Sequence, residues 1–304
     1  MSASSTKVIY AALTGNFVIA IIKFIAAGYT GSSAMLSEGI HSVVDTGNQM
    51  LLLYGLKRAK KPADKRFPFG YGKEVYFWSF VVAILIFAIG AGVSMYEGIH
   101  RILQPTEIKN VFVNYIVLAS ALVFEGAAWL FALKEFKQQK GKWGYIEAVH
   151  RSKDPSIFLV LFEDSAAMAG LLVAFIGVLL TQVTGILIFD GIASVIIGFI
   201  LAATAMWLAL ETKGLLIGES ANEEVVSKIS ELAKTHSAIE YVNEILTMHI
   251  GPDYILVNLS VNFIDNVVAD DIELTIDSLD TEIKAVFPKV KRIFIDAEIR
   301  NKHK

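Results

Sequence analysis

Apolar positions run through the first 210 residues with few breaks, and beyond them the chain turns to regular alternation. Spanning a bilayer takes roughly 20 mostly apolar residues. Six stretches meet that need: Val8–Ala27, Ser33–Leu56, Val75–Ile99, Val111–Phe136, Ile157–Thr181 and Gly191–Leu210. Six transmembrane helices are therefore predicted. The links "GYTGS" and "VTGILIFD" are short and predict tight helical hairpins for the first two and the last two spans. The opening "MSASSTKVIYAAL" lacks a small-residue cleavage site after a short apolar core. It is expected to lead into a retained first helix, not to be a cleaved signal.

From Thr212 onward the pattern reads α-β-β-α-β. Asn222–Lys234 has helical spacing at Val226, Ile229 and Ala233, and Tyr241–Ile250 resembles a strand. Gly251–Asp253 is a turn signal. Tyr254–Phe263 alternates, with Ile255, Val257, Leu259, Val261 and Phe263 on one face. Asp271–Phe287 returns to helix through Ile272, Ile276, Leu279, Ile283 and Val286, and Pro288 stops it. Lys291–Ile299 is the last strand. The expected fold is an α-helical membrane protein: a six-helix transport domain over 1–211 and a cytoplasmic α+β domain over 212–304.

Composition agrees with a membrane protein, at 54% hydrophobic and 19% charged, against about a quarter charged in soluble domains. A net charge of −3 gives no reason to expect a nucleic-acid partner, and the absence of cysteine excludes disulfides and thiolate metal sites. Loop charge sets orientation. Lys57, Arg58, Lys60, Lys61, Lys65 and Arg66 follow the second span; Lys137, Lys140, Lys142, Arg151 and Lys153 follow the fourth. The opposite loops hold chiefly Arg101 and Lys109. Both termini are expected in the cytoplasm, with the protein in the cell (inner) membrane.

Within the second span, Glu38, His41, Asp45 and Asn48 are spaced three, four and three apart, so they form one polar stripe on a helix. A charged side chain at the bilayer centre costs about 3 kcal/mol or more, so four aligned polar groups need a shared reason. The fifth span adds Glu163 and Asp164, which point about 100° apart around a helix. Imidazole plus carboxylates suits tetrahedral Zn²⁺, and the same donors would take Fe²⁺, Mn²⁺ or Co²⁺. His41 and Asp45 are the expected ligands, with Glu163 or Asp164. Glu38 and Asn48 are expected beside them or on a proton path. Glu125 and Asn16 read as hydrogen bonds between helices, and Lys23 as a side chain that snorkels from the outer end of its helix.

These residues resemble the cation diffusion facilitator family, in its zinc-transporter-like branch. "SEGIHSVVD" is similar to that family's second-span motif, carried here by His41 and Asp45. "EDSAAMAG" is similar to its fifth-span motif, with Asp164 as the second member. "FPFGYGK" at Phe67–Lys73 and "LLIGESA" at Leu215–Ala221 resemble the loop before the third span and the entry to the cytoplasmic domain. The resemblance implies a ferredoxin-like αββαβ domain, a homodimer and no prosthetic group.

Three departures stand out. Val160 occupies the place of the first fifth-span ligand and cannot ligate. Phe67 and Tyr71 stand where some members carry loop histidines, leaving Asp64 alone, so a loop metal site is predicted absent. In the cytoplasmic domain Asp296 and Glu298 are the candidates for metal, with His236 and His249 elsewhere and Asn243 at the matching first-strand position.

The expected function is efflux of a divalent cation, most of all Zn²⁺, by proton antiport between the second and fifth spans. No H-E-x-x-H or nucleophile motif points to an enzyme. The alternatives are selectivity for another divalent ion, or a non-transporting membrane metal sensor or scaffold, which Val160 keeps open.

Overall fold

The computed structural model describes residues 3–107 and 110–299; Met1, Ser2 and Lys109 lie outside them. The first two helices are α1 (Ala3–Thr30) and α2 (Ser33–Ala59). Then α3 (Glu74–Leu85) continues through a π-helical turn at Ile86–Ala91 into α4 (Gly92–Leu103). There follow α5 (Val111–Lys140), the short α6 (Tyr145–Arg151), α7 (Pro155–Thr184) and α8 (Ile188–Ile217). The C-terminal elements are α9 (Glu223–Thr235), β1 (Ile239–Gly251), β2 (Tyr254–Phe263), α10 (Ala269–Val286) and β3 (Val290–Ala297).

Among the described residues, five helical segments are long and apolar enough to cross a membrane: Leu13–Thr30, Glu74–Leu103, Val111–Gln138, Phe158–Thr184 and Ile188–Ile217. With 27 residues, α2 is about 40 Å long, but its polar stripe dilutes its apolar character. It completes the six long helices that the pattern predicts. The chain is a multi-pass membrane protein with a small C-terminal α+β sheet region.

The chain divides into two compact units. One takes in the chain up to Lys57 together with Val75–Lys213; the other takes in Arg58–Glu74 and the chain from Gly214 onward.

In the first unit, short residues let backbones approach. A Cβ on Gly98 would lie 2.7 Å from Gly191 O, and one on Gly198 would lie 2.5 Å from the Met95 side chain. Only glycine permits α4 and α8 to come this close. Asp154 caps α7 by accepting from Ser156 N at 3.1 Å, ahead of Pro155 in the first turn. Gly185 ends the helix with φ 72°.

The N-terminus of α2 has its cap on another helix. Asp190, near the start of α8 and 1% exposed, accepts from Ser32 Oγ, Ser33 N and Ser33 Oγ, each at 2.7 Å. A carboxylate there satisfies donors that the first helical turn leaves orphaned and meets the positive end of the helix dipole. Asp190→Ala is expected to lower stability by about 2–3 kcal/mol, because buried donors lose their acceptor. Denaturant unfolding of the purified variant in detergent would measure it; a change within error of zero would remove this cap from the account.

In the second unit the sheet order is β1-β2-β3. β1 and β2 pair antiparallel, β2 and β3 parallel. The parallel pair requires the α10 crossover. The alternation read from β2 places Ile255, Val257, Leu259 and Val261 in the core, packed with Ile229 and Ala233 of α9 and Leu279 and Ile283 of α10. Val286, on the same stripe as Leu279 and Ile283, is the last residue of α10 and is 47% exposed.

The loop Arg58–Glu74 belongs to this unit. Gly72 lies against the β1–β2 turn, where a Cβ would meet Ile250 O at 2.5 Å. Asp64 organises the loop: it accepts from the Arg66 and Phe67 amides, each at 2.8 Å, and from the Tyr71 hydroxyl at 2.7 Å. The Tyr71 hydroxyl and the Phe67 amide hold the Asp64 carboxyl below its ordinary value of 3.8. A carboxyl with a depressed folded pKa contributes stability above the unfolded value and loses it as pH falls through the folded one. Amide protection at Arg66 and Phe67 is therefore expected to hold at neutral pH and to fall only below pH 3.8. Loss of protection near neutrality, in exchange measurements, would contradict this assignment.

Candidate metal site

α2 presents its stripe to the interior. Glu38, His41, Asp45 and Asn48 are 0%, 1%, 4% and 1% exposed. Each sits on the helical face that the spacing of three and four requires. On α7, Val160, Glu163 and Asp164 are also buried.

Two contacts order the stripe. Asn48 Nδ2 donates to Glu163 Oε1 at 2.6 Å. His41 Nδ1 and Asp45 Oδ1, one turn apart on α2, approach to 3.3 Å, without the alignment of a hydrogen bond. The Asp45 and Glu163 carboxylates are also close enough to interact electrostatically. Glu163 is thus the α7 acid that engages the α2 stripe. Asp164, about 100° further round the helix, is buried with its Oδ2 unpartnered.

Several polar atoms of the zone are left unsatisfied. Both His41 ring nitrogens, Asp45 Oδ1, Asn48 Oδ1 and Glu163 Oε2 are buried with no hydrogen-bond partner among the described residues. Each such atom costs about 1–3 kcal/mol when left unpaired. A cation would satisfy several at once, and imidazole nitrogen with carboxylate oxygen is a donor set for first-row divalent ions. Among the described residues, however, no three His, Asp or Glu side chains converge closely enough to chelate an ion. His41, Asp45 and Glu163 bring lone pairs to one buried zone without converging on a common point.

Glu38 leaves the stripe for another partner. Its Oε2 accepts from Lys23 Nζ at 3.0 Å. The expectation that Lys23 snorkels to the surface is incorrect: it is 0% exposed. The reason is twofold. α1 runs on to Thr30, two turns past Lys23. Three acceptors then meet the three ammonium protons: Glu38 Oε2, Ser42 Oγ at 3.0 Å and Glu125 Oε1 at 2.8 Å. Glu125 does join helices, as expected, but through this charged partner. The predicted span ended at Ala27, too near Lys23 for the sequence to signal burial; two acids on other predicted spans were the only hint.

In the C-terminal unit, Asp296 and Glu298 lie exposed on and just after β3. Glu298 Oε2 accepts from Ser260 Oγ at 2.6 Å. His236 Nε2 lies 3.3 Å from Glu282, and His249 Nδ1 lies 3.3 Å from Gly251 O. The structure brings neither histidine to the β3 acids, and no group able to hold a metal forms here among the described residues.

A family model described as the cation efflux transmembrane domain matches residues 9–217. A mitochondrial proton-coupled zinc antiporter of Xenopus laevis is 32% identical over 281 residues, covering 90% of this chain and 50% of that protein. Metal tolerance protein C4 of Arabidopsis thaliana is 30% identical over 250 residues, covering 82% and 55%. A manganese efflux system protein of Bacillus subtilis is 25% identical over 300 residues, covering 97% and 93%. The chain spans about half the length of the first two relatives.

Proposed function

The chain belongs to the cation efflux family, and we propose that it carries a divalent cation, zinc first, out of the cytoplasm in exchange for protons. The observation that carries this reading is the set of unpaired nitrogen and oxygen lone pairs of His41, Asp45 and Glu163, buried between two membrane helices. The antiporter name of the Xenopus relative supports both the ion and the coupling.

Coupling follows from the donors. A metal binds neutral imidazole and ionised carboxylates, so its arrival displaces protons. A site that is either protonated or metal-bound exchanges the two ions if access alternates between the two sides. Glu163 is the acid from α7 on this reading, Asp164 its neighbour in reserve, and Asn48 orients Glu163. Binding and release need no bond to be made or broken, hence no prosthetic group and no enzymatic step.

Residues 1–211 carry transport and 212–304 form the cytoplasmic domain. The basic loops after α2 and α5 support cytoplasmic termini in the cell membrane. The C-terminal domain pairs two copies: Leu246 and Phe294, exposed at 55% and 41% on the sheet face away from α9 and α10, offer an apolar contact.

Manganese is the second reading. Carboxylates outnumber imidazole in the site, which suits a harder ion, and the Bacillus relative is named for manganese efflux.

The test is reconstitution in liposomes under an imposed pH gradient, with ion-dependent proton flux followed for Zn²⁺, Mn²⁺, Fe²⁺ and Co²⁺. Proton flux that rises with zinc supports the first reading, and flux with manganese alone supports the second. No flux with any ion leaves the sensor or scaffold reading in its place.

A further inference from the structure

The Lys23 ammonium sits in a nest made wholly of oxygen. Glu38 Oε2 and Ser42 Oγ come from α2 and Glu125 Oε1 from α5, at 3.0, 3.0 and 2.8 Å. The nest is buried on all sides, with Lys23, Glu38, Ser42 and Glu125 at 0%, 0%, 1% and 7% exposure. With both carboxylates ionised, the nest holds two negative charges against one ammonium. Two of its oxygens also stand unpaired. Glu38 Oε1 and Glu125 Oε2 are buried without a partner among the described residues. Glu38 Oε1 is also pressed against α7 where only glycine leaves room, since a Cβ on Gly170 would lie 2.6 Å from it.

We propose that this nest is a second cation site in the membrane domain, separate from the His41–Asp45 zone, and that Lys23 is its tethered, permanent occupant. Two carboxylates and a hydroxyl form a hard-oxygen donor set, the kind taken by Ca²⁺ or Mn²⁺ and not selected by softer ions. A divalent ion would cancel both charges and could use the two oxygens that Lys23 leaves unpaired. The carboxylate oxygens now 2.8–3.0 Å from nitrogen would draw in to about 2.3–2.6 Å around Ca²⁺. Lys23 prevents this by covalent attachment: its ammonium cannot leave, so a mobile ion cannot lodge one turn of α2 away from His41. The lysine thereby confines a mobile ion to the α2–α7 zone and holds occupancy there to one.

The experiment counts ions and does not depend on transport. The full chain carrying His41→Ala and Asp45→Ala, which disables the other zone, is placed in nanodiscs with and without Lys23→Gln. Bound Mn²⁺ is counted by electron paramagnetic resonance, and Ca²⁺ by equilibrium dialysis. Lys23→Gln is expected to add one tight ion per chain for either metal. Adding Glu125→Gln is expected to remove it. An unchanged count, or an added ion that survives Glu125→Gln, overturns the proposal. If Lys23→Gln survives purification only when Ca²⁺ or Mn²⁺ is in the buffer, the ion is replacing the ammonium as proposed. If neither ion recovers the variant, the proposal is overturned. A failure of the transport reading would show separately, as absent proton flux in the unaltered chain.

Discussion

Asp45→Ala is expected to abolish ion-driven proton flux, with at least a 100-fold loss in reconstituted liposomes, and His41→Ala to come close to it. The magnitude follows from the position of these groups. Losing a residue that merely supports a metal ligand costs about 10–100-fold; a direct donor should cost more. Asp45 lies between the His41 imidazole and the Glu163 carboxylate of α7, and approaches both. Removing it leaves the imidazole and the Glu163 carboxylate without the group between them. Asp45→Asn separates charge from shape: it keeps the volume and loses the negative charge, and should fail nearly as badly. Glu163→Gln should cost more than Asp164→Asn, because Glu163 is the acid that bonds to Asn48. The reverse order would move the site round α7 to Asp164. Normal flux in Asp45→Ala, with protein at equal levels in the vesicles, would remove the site altogether.

Lys23→Met, in buffer stripped of divalent ions, is expected to destabilise the protein by about 3–5 kcal/mol, because breaking a buried ion pair from one side leaves its partner's charge uncompensated. Here two carboxylates are left, from α2 and α5, with no water to reach them. The loss should not be read as the worth of the ion pair. Replacing a whole buried charge group by neutral residues of similar volume is often tolerated. The triple variant Lys23→Met with Glu38→Gln and Glu125→Gln is therefore expected to recover most of the stability. Thermal unfolding in detergent, monitored by loss of the monodisperse peak, measures both. A Lys23→Met protein as stable as the parent would mean the two glutamates take up protons at little cost, and the charge argument would fall.

Much of the architecture was legible because it is written in local periods. About twenty apolar residues make a span, and alternation of period two makes β2 with its buried Ile255, Val257, Leu259 and Val261. The stripe of Glu38, His41, Asp45 and Asn48 could be read the same way, since residues three and four apart must share a helical face. The failures are of another kind. Lys23 was misplaced because its partner Glu125 is 102 residues away. Asn48 and Glu163 are separated by 115 residues, and nothing local distinguishes Glu163 from its neighbour Asp164. The capping of α2 by Asp190 joins residues 157 apart, and no propensity at Ser33 announces it. Val286 shares the helical stripe of Leu279 and Ile283, yet it is 47% exposed, since period alone does not decide burial at a helix end.

The sequence by itself determined the six long helices, the αββαβ order and the polar face of α2. These rest on the repeat of the backbone and on the cost of exposing apolar groups to water or polar groups to lipid. Only the tertiary structure decided which charges meet. It placed Lys23 between Glu38 and Glu125, turned Glu163 to Asn48 and Asp45, and set Asp190 on the end of α2. Hydrogen bonds and ion pairs act over about 3 Å, so their partners are chosen by how helices pack in space and not by how residues follow one another in the chain.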